Sequence, residues 1–161
     1  RDEEEDFQTV VDCDIDAYIP VSYIKNEYQK LDVYKRISAI ESEEEYMDMQ
    51  DELIDRFGDI PKAVDNLLRI ALIKALAHQA YVTEVGINRQ EVRISMFPKA
   101  KLNTEGIPAL VAEYKGALKM QMGEIPGFLY QERNKKNQDC LSMADKAQEI
   151  LKRLQELCVK K

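Results

Sequence analysis

Four carboxylates, Asp48, Asp51, Glu52 and Asp55, lie within eight residues, and the run Glu52-Leu53-Ile54-Asp55-Arg56-Phe57-Gly58, followed by Pro61, reads as the end of a helix. Oxygen-rich side chains at this density suit a hard cation such as Ca²⁺ or Mg²⁺, which takes several oxygen ligands. A continuous helix, however, splays successive side chains around its axis and cannot wrap one ion, so no metal is expected. Pairing with the cations of another protein surface is the chemistry that remains. Asp55 falls in the last helical turn, where the macrodipole already presents negative charge, at a cost of about 0.3–1 kcal/mol. Asp51 and Asp55, four apart, repel by roughly 0.2–0.5 kcal/mol. Glu52 and Asp55, three apart, share a face and together could grip a basic group; a solvated acidic face is the alternative.

Enzymatic chemistry finds little support. The chain has no Gly-x-x-x-x-Gly-Lys-Ser/Thr phosphate loop, no Gly-x-Ser-x-Gly elbow and no Cys-x-x-Cys pair. Its one histidine, His78, follows a helical core stripe and has no acidic neighbour in sequence, which reads as a structural or surface position. No catalytic residue and no cofactor are expected. Met47, Met49, Met120 and Met122 read as core gap-fillers in preference to an adaptable binding face.

A formal charge of -7 and a pI near 4.9 oppose a phosphate-tracking surface. The basic run from Arg133 to Lys136 is flanked by Glu132 and Asp139 and reads as a solvated loop. Tyrosines are not interleaved with Lys and Arg, so a stacking platform for single strands is not supported. Three cysteines, Cys13, Cys140 and Cys158, lack metal-ligand spacing and fit a reducing, cytoplasmic setting. On a helix Cys140 and Cys158 would stand about 27 Å apart, too far to pair. No apolar run approaches the ~18 residues of a membrane span.

The 161 residues suffice for a domain that buries roughly 68–70% of its unfolded surface. Residues 1–9 read as a disordered acidic lead and 10–161 as a single domain. Alternation from Val11 to Tyr18 puts Val11, Cys13, Ile15 and Ala17 opposite Asp12, Asp14 and Asp16, predicting a half-buried strand that Pro20 ends. Three helices follow. The first buries Tyr28, Leu31, Tyr34, Ile37 and Ile40, leaving Lys30, Lys35 and Arg36 toward solvent or a partner. The second opens on a Ser42/Glu45 capping box, carries a core stripe of Tyr46, Met49, Leu53, Ile54 and Phe57, and stops at Gly58. The third has Pro61 in its first turn and a stripe of Val64, Leu67, Leu68, Ala71, Leu72, Ala75 and Leu76. Tyr81 to Ile87 and Glu91 to Phe97 then form a hairpin, Gly106 to Lys115 a short helix, and Lys119 to Met122 with Gly127 to Tyr130 two further strands. From Asp139 to Val159 a long helix carries Leu141, Ala144, Ala147, Leu151, Leu154 and Cys158 on one stripe. The expected fold is α+β: an N-terminal strand, a three-helix segment, a small antiparallel sheet with a short helix, and a long C-terminal helix.

Three motifs in order and at fixed spacing, Asp16-Ala17-Tyr18-Ile19-Pro20, Tyr34-Lys35-Arg36-Ile37 and Glu52-Leu53-Ile54-Asp55-Arg56-Phe57-Gly58 with Pro61, resemble the C-terminal domain of bacterial transcription-repair coupling factors (Mfd). The resemblance is carried by residues from about Val10 into the third helix and by pattern beyond. It implies a regulatory domain without chemistry of its own, in a protein whose upstream regions carry a UvrB-like module, an RNA-polymerase-binding domain and a DNA-translocating ATPase. RNA polymerase and DNA would then be reached only through those regions. The domain would pack on the UvrB-like module in the resting protein and mask the surface that recruits UvrA. Glu52 and Asp55 match the acidic positions that meet arginines of that module, with Asp48 and Asp51 alongside. Arg56 would orient the two acids or touch the partner itself.

Overall fold

The computed structural model describes residues 7–100, 102–132 and 139–158; the basic run at 133–136, most of the acidic lead and the end of the last expected helix lie outside them. The chain divides into two compact units, a helical one spanning Ile15–Ala75 and a sheet-based one formed by the residues up to Asp14 and from Leu76 onward.

In the helical unit, α1 spans Glu27–Ser38 and α2 Glu43–Phe57, while α3, Lys62–Gln79, begins here and runs on past the boundary. Each start has a chemical cause. The Asn26 side chain accepts from Gln29 N at 3.0 Å, and the Ser42 hydroxyl accepts from Glu45 N at 3.1 Å. The Glu45 carboxylate reaches back to Glu41 N at 2.8 Å, one residue earlier than a regular capping box uses. Pro61 leads into α3, its carbonyl accepting from Val64 N and Asp65 N. Gly58 ends α2 at φ +92°, a conformation that side chains rarely adopt. Tyr23 closes that end: its hydroxyl shares one proton between Gly58 O at 2.9 Å and Leu53 O at 3.2 Å, serving carbonyls that a helix terminus leaves open.

Val33, Ile37, Leu53, Val64 and Leu68 form the centre of this unit's core, each fully or almost fully buried. Two expected stripes need correction. On α1, Tyr28 and Leu31 are 85% and 57% exposed, and the inward face is Val33 and Ile37, continued by Ile40. Residues every three positions drift backward by about 60° per step, so a run from 28 to 40 winds around the helix. On α2, Met49 and Leu53 are buried but Ile54 is half exposed.

The sheet unit holds β1 (Val10–Cys13), β2 (Val82–Ile87), β3 (Glu91–Met96), β4 (Leu118–Gln121) and β5 (Gly127–Gln131) in the order β1-β2-β3-β5-β4. The sheet is mixed: β1 pairs parallel with β2, from Val10 opposite Glu84 to Cys13 opposite Ile87, and the other pairs are antiparallel. β1 stops at Cys13 because β2 ends at Ile87, where the chain turns with the Asn88 side chain accepting from Gln90 N and Glu91 N. The alternation expected to Tyr18 persists only as alternating exposure, since Asp16 O and Tyr18 N bond to Asn66 and Ala63. A Cβ on Gly127 would lie 2.2 Å from Ile94 O, so only glycine allows β5 this close to β3.

Between β3 and β4 lies α4, Ile107–Glu113; after β5 comes α5, Cys140–Glu156, capped by Asp139, whose carboxylate accepts from Ser142 N at 2.9 Å. Helix α5 packs on β2 and β3. Its inward residues include Met143 and Ile150 besides Ala144, Ala147, Leu151 and Leu154, while Leu141 is only half-buried. The methionines also depart from a uniform filling role: Met49 is buried, but Met47 and Met122 are exposed. His78 stacks on Phe7 at a centroid distance of 4.4 Å, its Nε2 3.1 Å from Phe7 O, as a surface histidine.

Candidate protein-interaction surface

Helix α2 turns two faces away from its core, and the acidic residues divide between them. Glu52 lies on the flank toward α1. Both of its carboxylate oxygens accept from the two terminal nitrogens of Arg36, and Oε2 also accepts from Arg56 Nη1 at 3.0 Å. The Arg36 hydrogen bonds come first among the causes that hold the Glu52 carboxyl down at about 2. The Arg36 guanidinium is in turn held above its ordinary value by Glu52. Arg56, one turn beyond Glu52, also lies 4.9 Å over the Phe57 ring, so it is fixed from two sides.

Asp51 and Asp55 occupy the outward face of α2 with Met47 and Ile54, which are 54% and 50% exposed. Positions 47, 51, 54 and 55 share one side of a 3.6-residue helix. Neither aspartate has a hydrogen-bond or ion-pair partner among the described residues. Asp48 is exposed at the rim between the faces and lines, with Arg36, Ile40, Glu45, Met49 and Glu52, an open groove of about 390 Å³.

Of the five residues singled out in the sequence, Glu52 and Arg56 thus belong to one internal cluster, Asp51 and Asp55 to an outward face, and Asp48 to the groove between. Three contributors escaped the sequence reading. Arg36 was read as facing solvent or a partner, without its link to Glu52, which is sixteen residues away on another helix. Met47 was treated as filling and Ile54 as core; their seven-residue spacing, on the side opposite Met49 and Leu53, was the available signal. The arrangement offers unneutralised carboxylates around exposed aliphatic surface, which suits a partner with both cations and apolar groups.

A second concavity, of about 280 Å³, lies in the sheet unit, where Asp12, Asp14, Glu84 and Glu91 meet Arg93. Arg93 pairs with Glu91 at 2.7 Å. Among the described residues no cluster of His, Cys, Asp or Glu has an arrangement that would hold a metal ion, and no helix is long and apolar enough to cross a membrane.

Comparison with known proteins places these features in a family. The model of the TRCF domain matches residues 13–107, the stretch that holds the whole helical unit together with the last residue of β1, all of β2 and β3, and the first residue of α4. A transcription-repair-coupling factor of Bacillus subtilis is 39% identical over 102 residues, covering 63% of this chain and 9% of the relative. One from Staphylococcus haemolyticus is 38% identical over 107 residues, covering 66% and 9%. The chain therefore spans about a tenth of the length of the curated relatives it matches. A crystal structure of the C-terminal domain of a transcription-repair coupling factor superposes with a TM-score of 0.70 at 29% identity, covering 93% of this chain and 95% of that one. With the family model matched over more than half of its residues, this chain belongs to the TRCF domain family, and its fold is that of the C-terminal domain of transcription-repair coupling factors.

Proposed function

We propose that this domain is a non-catalytic regulatory module that packs on the UvrB-like module of its own coupling factor in the resting state and masks the surface that recruits UvrA. The observation that carries this reading is the outward face of α2, where Asp51 and Asp55 stand unpaired beside exposed Met47 and Ile54, inside the segment matched by the family. Local helix energetics disfavour both acids, and a basic partner gives them a role. Exposed ion pairs contribute about 0.2–1 kcal/mol each. Several of them, with burial of two aliphatic side chains, bias a two-state equilibrium by a few kcal/mol. That keeps the UvrA site mostly closed yet leaves it breakable when the upstream motor engages polymerase and DNA. Such a lock weakens as salt rises.

The test compares UvrA binding by the intact coupling factor with binding by a version truncated just before Val10, at matched salt, alongside Asp55→Arg in the intact protein. Tighter binding in both is expected. Equal binding in all three proteins rules out the mask. The Glu52 cluster favours a second reading, a structural domain that stabilises the adjacent DNA translocase, because that carboxylate is already satisfied from within. On that reading truncation lowers the melting temperature of the motor and leaves UvrA affinity unchanged.

A further inference from the structure

We infer that Arg36 is an internal competitor for Glu52, so that docking of a basic protein surface through this carboxylate proceeds by exchange of one arginine for another. The inference rests on the masking role proposed above and concerns its regulation. In the free domain both Glu52 oxygens face the Arg36 guanidinium, and Arg56 holds Oε2 from the other side. The Glu52 carboxylate already meets two guanidiniums, with Glu45 and Asp48 lining the same groove, so an incoming cation finds Glu52 itself occupied, whereas Asp51 and Asp55 have no partner among the described residues. A planar guanidinium fork occupies both oxygens of a carboxylate at once, so an incoming arginine reaches bidentate geometry on Glu52 only if Arg36 leaves.

The two resident arginines are not equally replaceable. Arg56 is tethered to Glu52 along one helix and rests on Phe57. Arg36 comes from α1, is 42% exposed, and has Glu52 as the only acidic partner at ion-pair distance among the described residues. It is the one that can swing into water. The groove beside it, floored by Ile40 and Met49 and rimmed by Asp48, is where the stem of an incoming side chain fits. Arg36 thereby weakens the docked state by the pairing that must be given up, and it reoccupies Glu52 on release.

The experiment measures UvrA affinity of the full-length coupling factor carrying R36Q, E52Q, R36Q/E52Q or D55R, beside the truncation before Val10. R36Q is expected to lower UvrA affinity roughly two- to fivefold, the range of an exposed pair, by tightening the mask. The same change in the E52Q background is expected to have no effect. R36K, which keeps the charge without the fork, should fall between wild type and R36Q, and it carries the test if R36Q does not fold. If D55R and the truncation raise UvrA affinity while R36Q and R36K leave it unchanged or raise it, the exchange is overturned and the mask stands. If the truncation changes nothing, the mask fails and the exchange with it.

Discussion

Each unit ties two helices together with an arginine and a glutamate, and the surroundings of the two pairs are opposite. In the helical unit Arg36 and Arg56 converge on one acid, Glu52. In the sheet unit one cation, Arg153 of α5, meets two acids, Glu113 of α4 and Glu156, the latter at 3.4 Å. The Tyr114 hydroxyl next to it donates to Glu149 at 2.7 Å, and burial first, then that bond, pushes the phenol well above its ordinary value. At this contact the charged side chains of the sheet unit pair with one another, on a helix that covers its strands. The helical unit over-neutralises one carboxylate, while Asp48 and Asp51 before it and Asp55 after it have no partner among the described residues. A basic partner would gain most at such unneutralised charge, and this face lies inside the segment matched by the family model.

The sharpest challenge to this contrast is to show that apolar packing, and not either pair, holds each unit together. Phe128→Ala in the sheet unit and Leu53→Ala in the helical unit remove fully buried side chains and should cost about 3–5 and 2–5 kcal/mol in denaturant unfolding. Loss of either glutamate by as much would invert the ordering. Next comes Ser42→Ala, which strips the cap from the helix that displays the acids and should cost about 0.5–2 kcal/mol by the same measurement.

Glu52→Gln should have a smaller effect, within the ~1 kcal/mol of a partly exposed pair, and the effect should depend on pH. The folded carboxyl sits at about 2, below the ordinary value near 4.3 of the unfolded chain. Its contribution is therefore complete above the unfolded value and lost as pH falls toward 2. Wild type and variant should differ at pH 6 and converge between about pH 5 and pH 2 in acid unfolding followed by circular dichroism. Glu113, also lowered by Arg153, should follow the same direction with a smaller change, since one arginine serves it and it is more exposed. The smallest effect has the opposite sign. Asp55→Asn removes a charge at the negative end of α2 and should raise stability by a few tenths of a kcal/mol, read as a small rise in Tm, while weakening the proposed docking.

Much of this architecture was legible because its signals are local. The Ser42 cap, Gly58, the stripe of α3 and the hairpin around Asn88 each rest on a few adjacent residues, and each appears where expected. The inward face of α1 was misread because three-residue spacing imitates amphipathicity for a turn or two before it drifts, and Val33 carried the missing phase. The parallel pairing of β1 could not be read at all, since nothing in Val10–Cys13 says which distant strand it joins. At the candidate site the acids were visible as residue types in a helical register. The split among them was not, because it depends on Arg36 arriving from another helix.

The position of β1 also bears on the order of assembly. Its ladder joins residues such as Val10 and Glu84, whereas β2 and β3 meet across a turn of a few residues. Closing a loop of that length costs about 4 kcal/mol of chain entropy, against little for the hairpin. Contact order therefore favours the hairpin early and β1 late. Four residues at a sheet edge cannot offset such a cost until the intervening segment has become compact, so the amides of β1 should be the least protected of the sheet in native-state hydrogen exchange. During synthesis this strand leaves the ribosome before the hairpin that it must join, yet by contact order it is expected to pair after that hairpin has formed.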